Sequence, residues 1–282
     1  MASDSPVFLI TGCSSGLGRE LAIAALHRSF RVIATARRVD TLDYLIQRGA
    51  KALSLDVTSS EAELAEVAAK AISIYGQVDY LVNNAGFMHA GVMEETSHEE
   101  VLRQFNTNFF GLVNTTRAFL PYFRARRTGT IVNISSHVSV MGLPGVGAYT
   151  ASKAAVDAIS DTWAHELAEY NIRSISIQAG LFRTEVLKPT DVNRAAKFVE
   201  GYQAGHEMID HINETAGRRE PGDPVKAAAK IIAFVTDPKR CQLSLRFVVG
   251  DDAFSNVRAF HSQQLADMDT AKEWSTGTSY PV

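Results

Sequence analysis

The strongest constraint on this chain lies near its start. A short apolar run at 7–10 ends in Thr11-Gly12-Cys13-Ser14-Ser15-Gly16-Leu17-Gly18, after which Leu17, Leu21, Ala24, Ala25 and Arg28 recur at steps of three and four. Strand, glycine-rich turn and helix in immediate succession leave few folds open. The alternation then continues. Strand patterns fall at 31–35, 51–55, 78–82, 130–134, 172–177 and 245–249, and helical patterns at 61–75, 99–123, 148–170 and 225–236. Strands separated by helices must be joined by crossovers, which gives a mainly parallel sheet covered on both faces. The expected architecture is α/β: a doubly wound, seven-stranded sheet with helices on both faces, forming one domain over 1–282.

Composition narrows the function classes. Apolar residues make up 46% of the chain, charged residues 21%, and the net charge is −3. That balance suits a soluble globular protein and gives no basic footprint for nucleic acid. No stretch reaches the ~20 apolar residues of an integral membrane segment, and the start of the chain shows no basic, apolar leader. Cys13 and Cys241 form neither a disulfide framework nor a metal-ligand cluster. The expectation is a cytoplasmic protein with no metal.

Several stretches carry chemistry. Small residues in the first turn let the backbone approach a phosphate at a helix N-terminus, where unpaired N–H groups point outward. The spacing Gly12-x-x-x-Gly16-x-Gly18 differs from the commoner Gly-x-Gly-x-x-Gly. At the end of the second strand, where an acid would select the ribose hydroxyl of NAD, the chain has Ala36-Arg37-Arg38. Two guanidinium groups suit the 2′-phosphate of NADP(H), unless Asp40 pairs with one of them. Asp56, at the end of the third strand, can cap a turn or bond an adenine amine. Asn83-Asn84-Ala85-Gly86, after the fourth, can be a plain turn or a close pass along a nucleotide. Asn108 and Gly111 sit inside a helical pattern that neither favours, a local conflict of the kind that marks function.

Tyr149 and Lys153 are four apart on the helix after the fifth strand and share a face. A free phenol, with a pKa of about 10, is a poor proton shuttle at neutral pH. Bringing it down by ~3 units takes ~4 kcal/mol. An ammonium at ~4 Å and an effective dielectric of ~20 supplies about that. The expectation is that Lys153 draws the Tyr149 phenol toward neutrality.

Taken together, the glycine-rich loop, Asn83 to Gly86, Asn108, Ser136, Tyr149 and Lys153 resemble the short-chain dehydrogenase/reductase family, in its compact single-domain branch. Within it, the opening motif and the run 32–38 look most like hydroxysteroid and retinol dehydrogenase-like members. The resemblance implies a Rossmann-type sheet and assigns roles. Tyr149 would be the general acid for carbonyl reduction and the base for alcohol oxidation. Lys153 would lower its pKa and hold the nicotinamide ribose, and Ser136 would donate to the substrate oxygen. Asn108 would position a water in a proton relay. Gly12, Ser14, Ser15, Gly16, Leu17 and Gly18 would line the pyrophosphate and ribose. Arg37 and Arg38 would meet the 2′-phosphate, Asp56 and Val57 the adenine, and Asn84, Ala85 and Gly86 the adenosine ribose. Phe182 and Thr184 would meet the carboxamide, and Arg117 would support the cofactor side.

One departure stands out. The family has Pro-Gly after the sixth strand, and this chain has Ala179-Gly180, which frees the backbone at the nicotinamide end. Phe87, Met88, Val140, Met141, Leu143, Val146 and Leu181 are expected to line an apolar pocket, with residues 185–222 as a lid. His89 is read as surface or packing. The implied activity is an NADPH-dependent ketone or aldehyde reductase, reversible as an alcohol dehydrogenase. Its substrate would be a hydrophobic small molecule such as a steroid, terpenoid, polyketide or retinoid. A homo-oligomer, dimer or tetramer, is implied through the helices beginning near 99 and 148. The competing readings are a non-redox lyase or isomerase on the same scaffold and a catalytically silent NADP(H)-binding sensor.

Overall fold

The computed structural model describes residues 5–184, 194–215, 219–239 and 245–280. Part of the expected lid, 185–193 and 216–218, lies outside the described residues, as does Cys241. Seven strands are present: β1 (Val7–Ile10), β2 (Arg31–Ala36), β3 (Lys51–Ser54), β4 (Tyr80–Asn83), β5 (Gly129–Ser136), β6 (Ile172–Ala179) and β7 (Arg246–Val249). They form one sheet in the order β3-β2-β1-β4-β5-β6-β7, with every pairing parallel. The order reverses between β1 and β4. Loops leaving the carboxyl ends of these two strands diverge there and open a crevice, the usual place for a ligand in such sheets.

Helices cover both faces: α1 (Gly16–His27), α2 (Asp43–Ile46), α3 (Glu61–Tyr75), α4 (His98–Phe105), α5 (Gly111–Arg126), α6 (Gly147–Glu166), α7 (Gln203–Thr215), α8 (Pro224–Thr236), α9 (Asp251–Thr270) and α10 (Lys272–Ser275). Local chemistry explains several ends. Ser60 and Ser97 each form a reciprocal capping box, with Glu63 and Glu100. Asp223 caps α8, with Pro224 in its first turn. The core forms two large apolar clusters and a small third one of Leu55, Val57 and Leu64. In the first, Phe8, Ile10, Val132 and Ile177 of the sheet meet Leu21 of α1 and Ile231 of α8. In the second, Leu9, Leu81 and Ile131 meet Phe119 of α5 and Trp163 of α6.

The expected helical segment over 99–123 is present, but it is not α-helical throughout. A π-turn at Asn106–Phe110 joins α4 to α5. The Asn108 amide bonds the Phe87 backbone instead of following the helix surface, and a Cβ on Gly111 would sit 2.8 Å from Val57. The sequence conflict at these two residues is therefore a bulge pressed against neighbouring loops.

Candidate active site

The glycine loop and the loop after β4 cross with their backbones almost touching. Gly12 has φ +70°, and a Cβ there would lie 2.9 Å from Ala85 Cα; on Gly18 it would lie 2.4 Å from the Gly12 carbonyl. Only glycine fits such a crossing. Thr11, which sequence reasoning passed over, is its staple: its hydroxyl oxygen accepts from the backbone N–H of Asn84 and of Ala85, each at 2.9 Å. The Asn84 side chain donates back to the carbonyls of Thr11 and Gly12. Asn84 thus shapes the cradle with its amide. A further buried chain runs from Thr116 through Asn83 and Asn133 to Ser160, tying α5, β4, β5 and α6 together beneath the loops.

Above this crossing lies one cleft of about 1120 Å³. Its walls include Gly12, Ser14, Ser15, Gly16, Leu17, Gly18, Arg37, Asp56, Val57, Asn84, Ala85, Gly86, Phe182 and Thr184, and also Ser136, Tyr149 and Lys153. Most residues expected to hold a dinucleotide are therefore brought to one surface. The tight glycine cradle at a helix N-terminus suits a pyrophosphate. No ion pair links Asp40 to Arg37 or Arg38 among the described residues. Asp56 spends Oδ1 on the N–H and hydroxyl of Thr58. Two of the expected residues lie away from the cleft wall. Arg38 is exposed and does not line the cleft. Arg117 also lies off it, on the outer face of α5, paired with Glu61 at 2.8 Å.

At the chemical centre, Ser136 from the end of β5 lies beside Tyr149 of α6 on the cleft wall, close enough for its hydroxyl to favour the phenolate. Lys153 lies one turn further on, its Nζ 5.8 Å from the Tyr149 ring centroid, donating to the Ile134 carbonyl at 2.7 Å. Burial works against the expected pull of Lys153 on the phenol. Burial raises the Tyr149 pKa, and the opposing influence is the Ser136 hydroxyl. The burial that strengthens charge attraction also penalises the phenolate, and the ammonium is engaged by a carbonyl. Burial lowers Lys153 to about 8, against the pull of Asp157. Asn108 does not line the cleft; its side chain accepts from Phe87 N–H, donates to the Phe87 carbonyl and reaches Ser152. It holds the loop after β4 in place.

The exit of β6, where proline is replaced, is held by other means. Gly180 N–H bonds the Val249 carbonyl, Asp252 accepts from Leu181 N–H, and Leu181 pairs with Gly222. A Cβ at Gly180 would strike Asp252, so this segment is tightly seated without a proline.

The far half of the cleft is lined by Phe87, Met88, Leu102, Leu143, Val146 and Leu181, with Met208, His211, Ile212 and Thr215 of α7. Val140 and Met141, expected here, are not part of that wall. Helix α7 is fastened from the side. Buried Glu95 receives Val199 N–H and His206 Nε2 on one oxygen and Val92 N–H on the other. Burial raises the Glu95 pKa, but these partners outweigh it and leave the carboxyl below its ordinary value. Gly205 approaches Val92 so closely that a Cβ would sit 2.5 Å away. His89, behind this wall, is buried, and burial lowers its pKa; it is a packing residue.

A doubly wound sheet with a phosphate cradle at its switch point and a Ser–Tyr–Lys set beside it defines a nucleotide-dependent oxidoreductase class. Residues 6–222 match the family model described as short chain dehydrogenase. The chain belongs to that family, whose members are oxidoreductases acting on CH–OH and C=O groups. It is 33% identical to retinol dehydrogenase 8 of Homo sapiens, over 88% of this chain and 84% of the relative. A short-chain dehydrogenase from Streptomyces avermitilis superposes with a TM-score of 0.87 at 34% identity, covering 99% of this chain and all of the other. An actinorhodin polyketide ketoreductase solved with NADPH gives 0.72 at 29% identity, covering 88% and 97%. Among the described residues, no helix is long and apolar enough to cross a membrane.

Proposed function

We propose that this protein is an NADPH-dependent reductase of a ketone or aldehyde on a bulky apolar small molecule. The observation that carries this reading is the joint placement of Ser136, Tyr149 and Lys153 between the glycine cradle and a largely apolar chamber. Gly12 through Gly18 would hold the pyrophosphate, and Arg37, at the end of β2, would meet the 2′-phosphate. When bound, the nicotinamide supplies the hydride. The substrate oxygen would rest against Ser136 and Tyr149. As charge develops on it, the Ser136 hydroxyl stabilises the oxyanion and Tyr149 delivers its proton. A phenol that burial keeps protonated is suited to this acid role. Lys153, largely ammonium below about pH 8, stabilises the phenolate left behind. In the reverse direction Tyr149 acts as the base.

The similarity to an actinorhodin polyketide ketoreductase solved with NADPH and to a retinol dehydrogenase supports an apolar substrate such as a polyketide or retinoid. Residues 194–215 would act as part of a lid, and the outer faces of α4, α5 and α6, with exposed Phe110, would join copies into a dimer or tetramer. The test is oxidation of NADPH and of NADH by the purified protein with bulky apolar ketones and aldehydes. Turnover with NADPH and weak turnover with NADH is expected. Equal use of both cofactors would remove the role given to Arg37. NADPH binding without oxidation across the panel would favour the sensor or the lyase and isomerase readings.

A further inference from the structure

Behind Lys153 lies a buried carboxylate that the reaction described above does not use. Asp157 is one helical turn further along α6 and 2% exposed. Its Oδ2 accepts from the Ser139 hydroxyl at 2.5 Å and from Gln178 Nε2 at 2.7 Å; its Oδ1 accepts from the Ser176 hydroxyl at 2.5 Å. Three side chains from two elements therefore converge on one carboxylate: one from the turn after β5 and two from β6. Arg246 of β7 stands 3.6 Å from the same carboxylate and binds Asp161, a further turn along α6, at 2.6 Å. Buried charge with this much hydrogen bonding is costly to keep where an apolar residue would pack. Its placement gives it a use.

We propose that Asp157 is a positioning residue for the reaction: it fixes the Lys153 turn of α6 against β6 and places a carboxylate one helical turn from the buried ammonium. This rests on the catalytic reading of Tyr149 and Lys153. Burial works to discharge Lys153, and Asp157 is the charge that opposes it. Arg246 moderates the effect from the far side of the carboxylate. The other titratable or charged groups around this turn are Tyr149 and Asp161 on α6 and His137 after β5, whose ring is bonded to the Ala179 carbonyl. The cleft that Lys153 lines also carries Arg37, Asp56, Glu99, Arg103, His211 and Glu220 among the described residues.

The test is a titration of the Lys153 side chain by NMR in the full chain, assigned with Lys153→Met, alongside pH profiles of kcat for NADPH-dependent reduction. In the wild type the Lys153 midpoint is expected near 8. In Asp157→Asn, which keeps the shape and loses the charge, it should fall by ~1 unit or more, and the alkaline decline of kcat should move down with it. Arg246→Gln removes the moderating cation, so the midpoint should rise. Opposite shifts from two variants of one network are not what a merely structural role gives. An unchanged midpoint in Asp157→Asn, or shifts of the same sign in both variants, would overturn the proposal; Arg246→Gln alone decides it if Asp157→Asn does not fold. A wild type with no reductase activity but the expected midpoints would sink the catalytic reading and leave the electrostatic role of Asp157 intact.

Discussion

The two halves of the cleft are built on different principles. At the cofactor end, the walls are backbone. Gly12 and Gly18 are pressed against Ala85, Asn84 and each other's loop, and Thr11 and Asn84 stitch the crossing together. At the substrate end, the walls are side chains on loops and on α7, and α7 is fastened largely through Glu95. Backbone crossings tolerate almost no change in shape, so this end can hold one kind of ligand in one pose. Side-chain walls hung on a few polar links can be repacked, so the other end can be adapted to different substrates on an unchanged catalytic frame.

Breaking the rigid half should have the larger consequence. Gly18→Ala places a methyl 2.4 Å from the Gly12 carbonyl. Relief of such overpacking costs about 1–3 kcal/mol, so calorimetry should show NADPH binding weakened by about 10- to 100-fold. Arg37→Ala probes the same half without touching its backbone. Loss of a charged hydrogen bond to phosphate is worth about 1.5–3 kcal/mol, so NADPH affinity should fall by about tenfold or more while NADH affinity stays level. Equal losses for both cofactors would show that Arg37 supports the fold and does not choose the ligand. On the adaptable side, Glu95→Gln should loosen α7. KM for a bulky ketone should rise about threefold to tenfold, a loss of roughly 1 kcal/mol as for one hydrogen bond, with NADPH affinity unchanged and faster proteolysis within 194–215. Protection of that segment equal to wild type would mean that the Gly205 contact, not Glu95, is the fastening. Last comes Arg117→Ala. The pair it makes with Glu61 is exposed on both sides, so stability should change by less than about 1 kcal/mol and cofactor affinity not at all.

The same contrast governs how much could be read from the sequence. The cofactor half was legible because its constraints are local: glycines in a turn between strand and helix, Tyr149 and Lys153 at one helical spacing, Asn108 and Gly111 where a helix does not want them. What is not legible there depends on contacts from elsewhere: the Asn84 amide serves Thr11 and Gly12, the Asn108 amide serves Phe87, and α5 turns Arg117 outward to Glu61. The substrate half depends on partners distant in the chain. Glu95 and His206 are 111 residues apart, and no periodicity links them. Gly205 reads as a helix breaker until Val92 is found against it. Tyr149 shows the same limit in its energetics. Spacing predicts the neighbouring cation but not the burial that opposes it.

The central claim is that Tyr149 delivers a proton to a carbonyl whose carbon receives hydride from NADPH. It is tested most directly with NADPH deuterated at the transferring position, a ketone accepted by the wild type, and mass spectrometry of the product, in wild type and in Tyr149→Phe. The account predicts one deuterium on the new carbinol carbon with the wild type. With Tyr149→Phe, the rate should fall by about 10²- to 10⁴-fold, the range of general acid catalysis, with NADPH affinity unchanged. Product formed without deuterium, or a Tyr149→Phe variant that transfers it at the wild-type rate, would contradict it.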